Sequence, residues 1–301
     1  MNRGRAMSGP PLASAHAGAG TPAWVDGLIG VAIFSGSLPA TRIALTGFDP
    51  LFLTLARGAL AGLASAALLA AVRPKLPERG DVAAFGVLSL CVVLAFPLLT
   101  ALALMRVESA HAIVFIGLLP LATAGFGALR ASERPSRRFW LFACLGSAIV
   151  AGFALRDGLT LEAADLSMLL AILAGGLGYA EGGRLSRRLG GWPVIAWANV
   201  AALPVTLPLA WWLAPPGVSG IPAGAWAGLG YVSLFSMLIG FVFWNRGLAR
   251  GGIAAVGQLQ LLQPFLGLAL AALLLGERIE PAMVIAALAV VACVAGARRA
   301  A

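Results

Sequence analysis

The sequence predicts an all-α membrane protein of ten transmembrane helices, arranged as two inverted five-helix repeats. Three observations predict it. Of 301 residues, 60% are hydrophobic and only 11% are charged, with a mean hydropathy of +0.93. A soluble domain carries about 25% charged residues, so this chain has too little polar surface to stay dissolved. The chain also divides into ten apolar runs, each bounded by charge, Pro or Gly. Finally, two phrases resemble each other: LLPLATAGFGALRASERPS (Leu118 to Ser136) and LLQPFLGLALAALLLGERIE (Leu261 to Glu280). Each places a proline thirteen residues ahead of a Glu-Arg pair, and the copies lie 144 residues apart.

Residues 1–23 are rich in Gly, Ala, Ser and Pro. They hold Arg3 and Arg5 but lack the apolar centre of a cleaved signal peptide, so a disordered tail is expected. The apolar runs fall at about 24–46, 50–72, 82–104, 109–130, 138–155, 166–184, 193–213, 223–245, 253–275 and 281–297. Each suits a bilayer helix of roughly 17–25 residues. The connections are short and leave no room for a soluble domain. Trp24, Trp140, Trp192, Trp211, Trp212 and Trp226 lie near run ends and are expected to anchor at the membrane interface. Cys91, Cys144 and Cys293 sit inside apolar runs without metal spacing, as small packing residues.

Lys and Arg fix the orientation. With the N-terminus inside, sixteen basic residues fall in inner segments: Arg3 and Arg5, Arg73 to Arg79, Arg130 to Arg138, Arg184 to Arg188, Arg246 and Arg250, Arg298 and Arg299. Only Arg42, Arg106, Arg156 and Arg278 fall outside, and Arg57 lies within the second run. Both termini are therefore expected in the cytoplasm, with the chain in the inner membrane. The net charge of +9 does not indicate nucleic acid, because the basic residues cap apolar runs instead of forming one face.

The 144-residue offset carries the fourth run onto the ninth and the fifth onto the tenth, with Gly152 on Gly296 and Arg106 on Arg250. Five helices is an odd number, so the second half enters from the opposite side. Residues 24–157 and 158–301 are then inverted repeats, a design shared by many secondary transporters.

These features resemble the EamA-type, ten-helix members of the drug/metabolite transporter superfamily. Pro264 with Gly276-Glu277-Arg278 is similar to that family's proline-to-Gly-Glu-Arg signature, and Pro120 with Glu133-Arg134 to its first-half copy. Phe34-Ser35-Gly36-Ser37 with Arg42, Arg57 in the second helix, and Trp244-Asn245-Arg246 at the end of the eighth also resemble the family pattern. The resemblance implies a basket of helices around a central cavity, working by alternating access. Within the family it points toward exporters of aromatic amino acids and amphipathic metabolites. Two departures are Gln263, where many members carry Glu, and Leu119. They argue against ion coupling at that position.

Polar side chains deep in a bilayer face a cavity or a partner helix. Gln263 lies eleven residues into the ninth run, about 15 Å deep and near the midplane. Its amide offers donors and acceptors without fixed charge, which suits a neutral or zwitterionic substrate. Interhelical hydrogen bonding is the competing role, and Gln258 and Gln260 lean toward it. Pro264 removes a backbone donor beside Gln263. Pro39, Pro97 and Pro120 fall inside other runs and are further helix breaks that could gate the same space. In the small-residue stretch AGGLGYAEGG (Ala174 to Gly183), Tyr179 offers a stacking face and a hydroxyl. Phe96, Phe115 and Trp244 complete the candidate aromatic lining. Arg57 is expected to snorkel outward or to pair with Asp49. His111 beside Glu108 reads as a solvated helix start.

With one histidine outside the tail and three scattered cysteines, the chain has no catalytic or metal-ligating constellation, and no cofactor is expected. No carboxylate occupies the middle third of a run. The expected function is export of small amphipathic metabolites, foremost amino acids, by a uniporter. Glu181 is the candidate coupling residue if a proton-coupled exporter of drugs or other metabolites is correct instead. A membrane enzyme or a scaffold is the alternative of another class. The expected partners are a small-molecule substrate and the lipid bilayer; the oligomeric state stays open and is compatible with a monomer.

Overall fold

The computed structural model describes residues 21–107, 112, 115–155, 163–217, 219–275 and 281–300, and among these it contains helices and no strand. Glu108, His111, Arg156, Gly276, Glu277 and Arg278 lie outside the described residues. In chain order the helices are α1 (Ala23–Ser35), α2 (Ser37–Ala44), α3 (Pro50–Val72), α4 (Val82–Leu88), α5 (Phe96–Leu104), α6 (Leu119–Arg130), α7 (Arg137–Leu155), α8 (Ala163–Leu189) and α9 (Gly191–Trp212). They continue as α10 (Ala223–Gly230), α11 (Phe241–Gly251), α12 (Ile253–Gly257), α13 (Gln263–Leu275) and α14 (Pro281–Ala300). A π-helical segment, Ser89–Ala95, joins α4 to α5, and a second, Tyr231–Gly240, joins α10 to α11. A 3-10 segment, Gln258–Leu262, joins α12 to α13.

Among the described residues, six helical stretches are long and apolar enough to cross a membrane: Ala23–Ala44, Pro50–Val72, Arg79–Leu104, Ala164–Leu189, Gly191–Trp212 and Ala223–Gly251. Their outward surfaces are apolar, with Leu63, Leu102, Leu169, Leu173 and Leu207 exposed, as lipid contact requires. The chain is a multi-pass membrane protein. Trp211 and Trp212, at the end of α9, are also strongly exposed.

Contacts sort the helix ends onto two faces. On one, Asp26 meets Arg246, Asp81 meets Arg188, Glu133 meets Arg187, Ser136 reaches Ala300, and Arg298 lies 5.9 Å over the Trp24 ring. We call this the basic face. On the other, Arg42 donates to the Val107 carbonyl at 3.4 Å, and Phe48 packs edge-on against Trp226 at 4.9 Å. The stretches α1–α2, α4–α5 and α10–α11 therefore each run from one face to the other.

Small residues let the helices approach closely, as membrane packing favours. A methyl on Gly247 of α11 would sit 2.9 Å from the Gly27 nitrogen of α1. One on Gly176 of α8 would sit 2.8 Å from the Ala122 carbonyl carbon of α6. The stretch Ala174 to Gly183 thus packs closely through its glycines.

Four helical segments begin just before a proline. Pro39 is third in α2, and Pro97, Pro120 and Pro264 are second in α5, α6 and α13. A first-turn proline loses no hydrogen bond, whereas a mid-helix proline breaks one and clashes with the preceding turn. At these four prolines the chain starts a new helical segment, whereas Pro204 and Pro208 stay inside the continuous α9. Pro97, Pro120 and Pro264 are buried, while Pro39 is exposed on the outside of the bundle.

Candidate substrate-binding cavity

These interruptions surround one cavity of about 40 Å³. Its walls come from α1–α2 (Phe34, Ser37, Leu38, Thr41), α3 (Arg57), the path through α5 (Val92, Phe96, Pro97, Thr100), the start of α6 (Ile116, Leu119), α8 (Tyr179), the second π-segment and α11 (Ser236, Phe241), and α13 (Gln263). One water needs roughly 10–15 Å³ of such space, so the cavity holds a few waters and no metabolite. Binding a substrate requires the surrounding helices to part.

Gln263 stands on the wall, and its Nε2 donates to the Phe34 carbonyl at 3.3 Å. That carbonyl lies at the end of α1, one turn from the helix break. The Gln263 Oε1 has no hydrogen-bond partner among the described residues. Ser37 and Ser236 bridge the cavity wall by a 2.9 Å hydroxyl contact. The Thr100 hydroxyl is buried and also without a partner there.

The cavity floor is aromatic. Phe34 packs against Phe241 at 5.0 Å between ring centroids, and Tyr179 lies 5.6 Å from both Phe241 and Trp244. Such pairs contribute about 0.5–1.5 kcal/mol each beyond burial. The structure brings Gln263, Tyr179 and Phe96 together on the wall. It places Trp244 beneath it, fully buried in the aromatic floor. Gln258 is fully buried off the wall, and Phe115 is buried one residue before the lining Ile116.

Arg57 differs from expectation. Asp49 does not pair with it, because its carboxylate caps α3 by accepting from Leu51 and Phe52 backbone N–H groups at 2.8 and 3.3 Å. Nor does Arg57 snorkel: it is 8% exposed and lines the cavity. Phe34, Phe241 and Thr100 were also missed among the wall residues. Phe34 had a signal, since it opens the Phe-Ser-Gly-Ser motif; the other two are ordinary residues of an apolar run.

Beneath the aromatic floor, at the basic face, lies a layer of ion pairs. Glu181 is fully buried and accepts from Arg130 Nε at 2.5 Å and Arg184 Nε at 2.8 Å. Asp26, also fully buried, accepts from Arg246 Nε at 2.8 Å and lies 3.4 Å from Arg250. Glu133 takes Arg187 and accepts from the backbone N–H groups of Ile253 and Ala254, both at 2.8 Å. These contacts tie α1 to α11, α6 to α8, and the segment after α6 to α8 and α12. The cavity is thereby sealed toward the basic face.

Comparison with known proteins agrees with this architecture. A model of the EamA-like transporter family matches residues 24–155 and again 163–298. The chain is 58% identical over 280 residues to the uncharacterized transporter YdeK of Bacillus subtilis (strain 168), covering 93% of this chain and 98% of that one. A protein of known crystal structure superposes with a TM-score of 0.72 at 21% identity, over 91% of this chain and 97% of the other, and so shares its fold. The paired family match over most of its length establishes that this chain belongs to the EamA-like transporter family.

Proposed function

We propose that the chain exports small amphipathic metabolites, foremost amino acids, across the inner membrane by alternating access, with both termini in the cytoplasm. Ten helices in two inverted repeats form the carrier. The observation that carries this reading is a cavity enclosed by interrupted helices from both halves of the chain and sealed on one side. Its walls combine aromatic rings with the neutral amide of Gln263. That mixture suits a substrate with an apolar side chain and a polar backbone. Here the basic, cytoplasmic face is shut. Exposure of the cavity to the cytoplasm would require the Glu181, Asp26 and Glu133 pairs to part and the aromatic floor to open. Pro39, Pro97, Pro120 and Pro264 supply the breaks about which half-helices can tilt.

The carrier works as a uniporter on this reading, since no carboxylate stands among the described lining residues. A proton-coupled mechanism has one observation in its favour: Glu181 is fully buried between two arginines. Its protonation would free both and loosen the seal. Counterflow in liposomes decides between them. A panel of amino acids, amines, sugar phosphates and nucleobases is offered with the pH gradient collapsed. Amino-acid flux is expected to persist. Exclusive transport of cations or sugar phosphates would reject the substrate reading, and accumulation driven by a pH gradient and abolished in Glu181→Gln would replace uniport with proton coupling.

A further inference from the structure

We infer that Arg57 is the anion-recognition group of the cavity, and that the cargo carries a carboxylate that pairs with it. This rests on the cavity being the transport site.

Arg57 is the eighth residue of α3, about 10 Å along the helix from its start. Its side chain is more than nine-tenths buried and lines the cavity. A buried cation is costly unless paired and hydrogen-bonded. Yet Arg57 has no ion pair among the described residues, and its Nε has no acceptor. The nearby acid Asp49 is exposed and spent on the α3 cap. Asp26, Asp81, Glu133 and Glu181 are held by arginines at the basic face. Among the described residues no Asp or Glu lines the cavity, and Arg57 is the one charge on its wall. Among the described residues, then, the guanidinium is uncompensated where a small molecule would enter.

The other open groups are complementary. Thr100 and Gln263 line the same cavity, their Oγ1 and Oε1 have no partners among the described residues, and Gln263 Oε1 can only accept. A carboxylate on Arg57 and an N–H donor on Gln263 would satisfy both ends. The planar guanidinium fork matches a carboxylate bidentately, which a point charge such as Lys does not. Phe34, Phe96 and Tyr179 would meet the remaining apolar surface.

The test uses the purified full-length chain in detergent and reads ligand-dependent thermal unfolding. The probes are phenylalanine, 3-phenylpropionate, phenylalaninamide and phenethylamine, with chloride and phosphate as inorganic anions. The two carboxylates are expected to stabilise the wild type, and the amide and amine are not. In Arg57→Gln, the unliganded protein should unfold at no lower temperature than wild type, because an unpaired buried charge has been removed. Its apparent affinity for the carboxylates should fall about 30-fold or more, and Arg57→Lys should restore part of it. Equal stabilisation by the amide and amine, or unchanged carboxylate binding in Arg57→Gln, overturns the assignment while leaving the export reading intact. Stabilisation by chloride or phosphate as strong as by the organic acids overturns it too. A loss of unliganded stability in Arg57→Gln that Arg57→Lys repairs would mark a structural charge instead. If 3-phenylpropionate binds through Arg57 and phenylalanine does not, the amino-acid reading falls and the carboxylate assignment stands.

Discussion

Gln263 shows what one residue contributes. Its amide is half-used: the nitrogen holds the Phe34 carbonyl where α1 ends, and the oxygen faces the cavity without a partner. Gln263→Ala removes both functions yet leaves the proline break and the aromatic floor untouched. A lost hydrogen bond of about 1–2 kcal/mol corresponds to about a five- to thirtyfold fall in transport per molecule. The amount of protein in the membrane should stay near wild type. Quantified flux against quantified protein checks this, and reduced protein with normal flux per molecule would assign Gln263 to packing alone. Its depth and its neighbour Pro264 made this residue visible in the sequence. Arg57 was visible only as a deep charge. An aspartate eight residues away offered it a partner, and only the structure shows that Asp49 is committed to its own helix start.

At the scale of an element, the start of α12 depends on a residue 120 positions away. Gly252 adopts φ +89, a turn that only glycine takes without strain. The first N–H groups of α12 then point at Glu133, which accepts from Ile253 and Ala254 and also pairs with Arg187. A carboxylate at a helix N-terminus contributes about 0.3–2 kcal/mol. The Glu-Arg pair was legible as part of the repeated phrase. Its capping of another helix was not legible, because nothing local links positions 133 and 253. The prolines announced the helix breaks, whereas the two π-segments have no comparable local signal. Glu133→Gln keeps the side chain's shape and removes its charge. It should loosen the basic face, so that Gln260→Cys, in a background without other cysteines, reacts with a polar maleimide about tenfold faster from that side. Gln260 is fully buried between the basic face and the cavity, which makes it a reporter of opening. Unchanged labelling would show that the Glu181 and Asp26 pairs hold the seal without Glu133.

At the scale of the whole molecule, the 144-residue offset reaches well beyond the two phrases that revealed it. It carries the first π-segment onto the second, with Ser89 on Ser233. It also relates helix pairs. The partners α3 and α9 exchange places, as do α7 and α14, while the contact of α1 with α11 maps onto that of α8 with α5. The sequence disclosed the period because a few prolines, glycines and charged residues keep register; the rest of each half has diverged into interchangeable Leu, Ala and Val, so helix pairings were not legible. A two-fold relation of this kind requires the halves to enter the membrane from opposite sides when each contains an odd number of crossings. The prediction is specific. Cysteines replacing Ser136 and Ser219, both exposed and in a background without other cysteines, should react from opposite sides. Ser219→Cys should label in intact cells, and Ser136→Cys only after permeabilisation. The warrant for the sides is the charge bias, since Ser136 lies among Arg134, Arg137 and Arg138 and beside Ala300. Labelling from opposite but reversed sides would keep the inverted repeat and turn the carrier over. Labelling of both from one side would remove the repeat itself, and with it the reason to expect that access to the cavity alternates between the two faces.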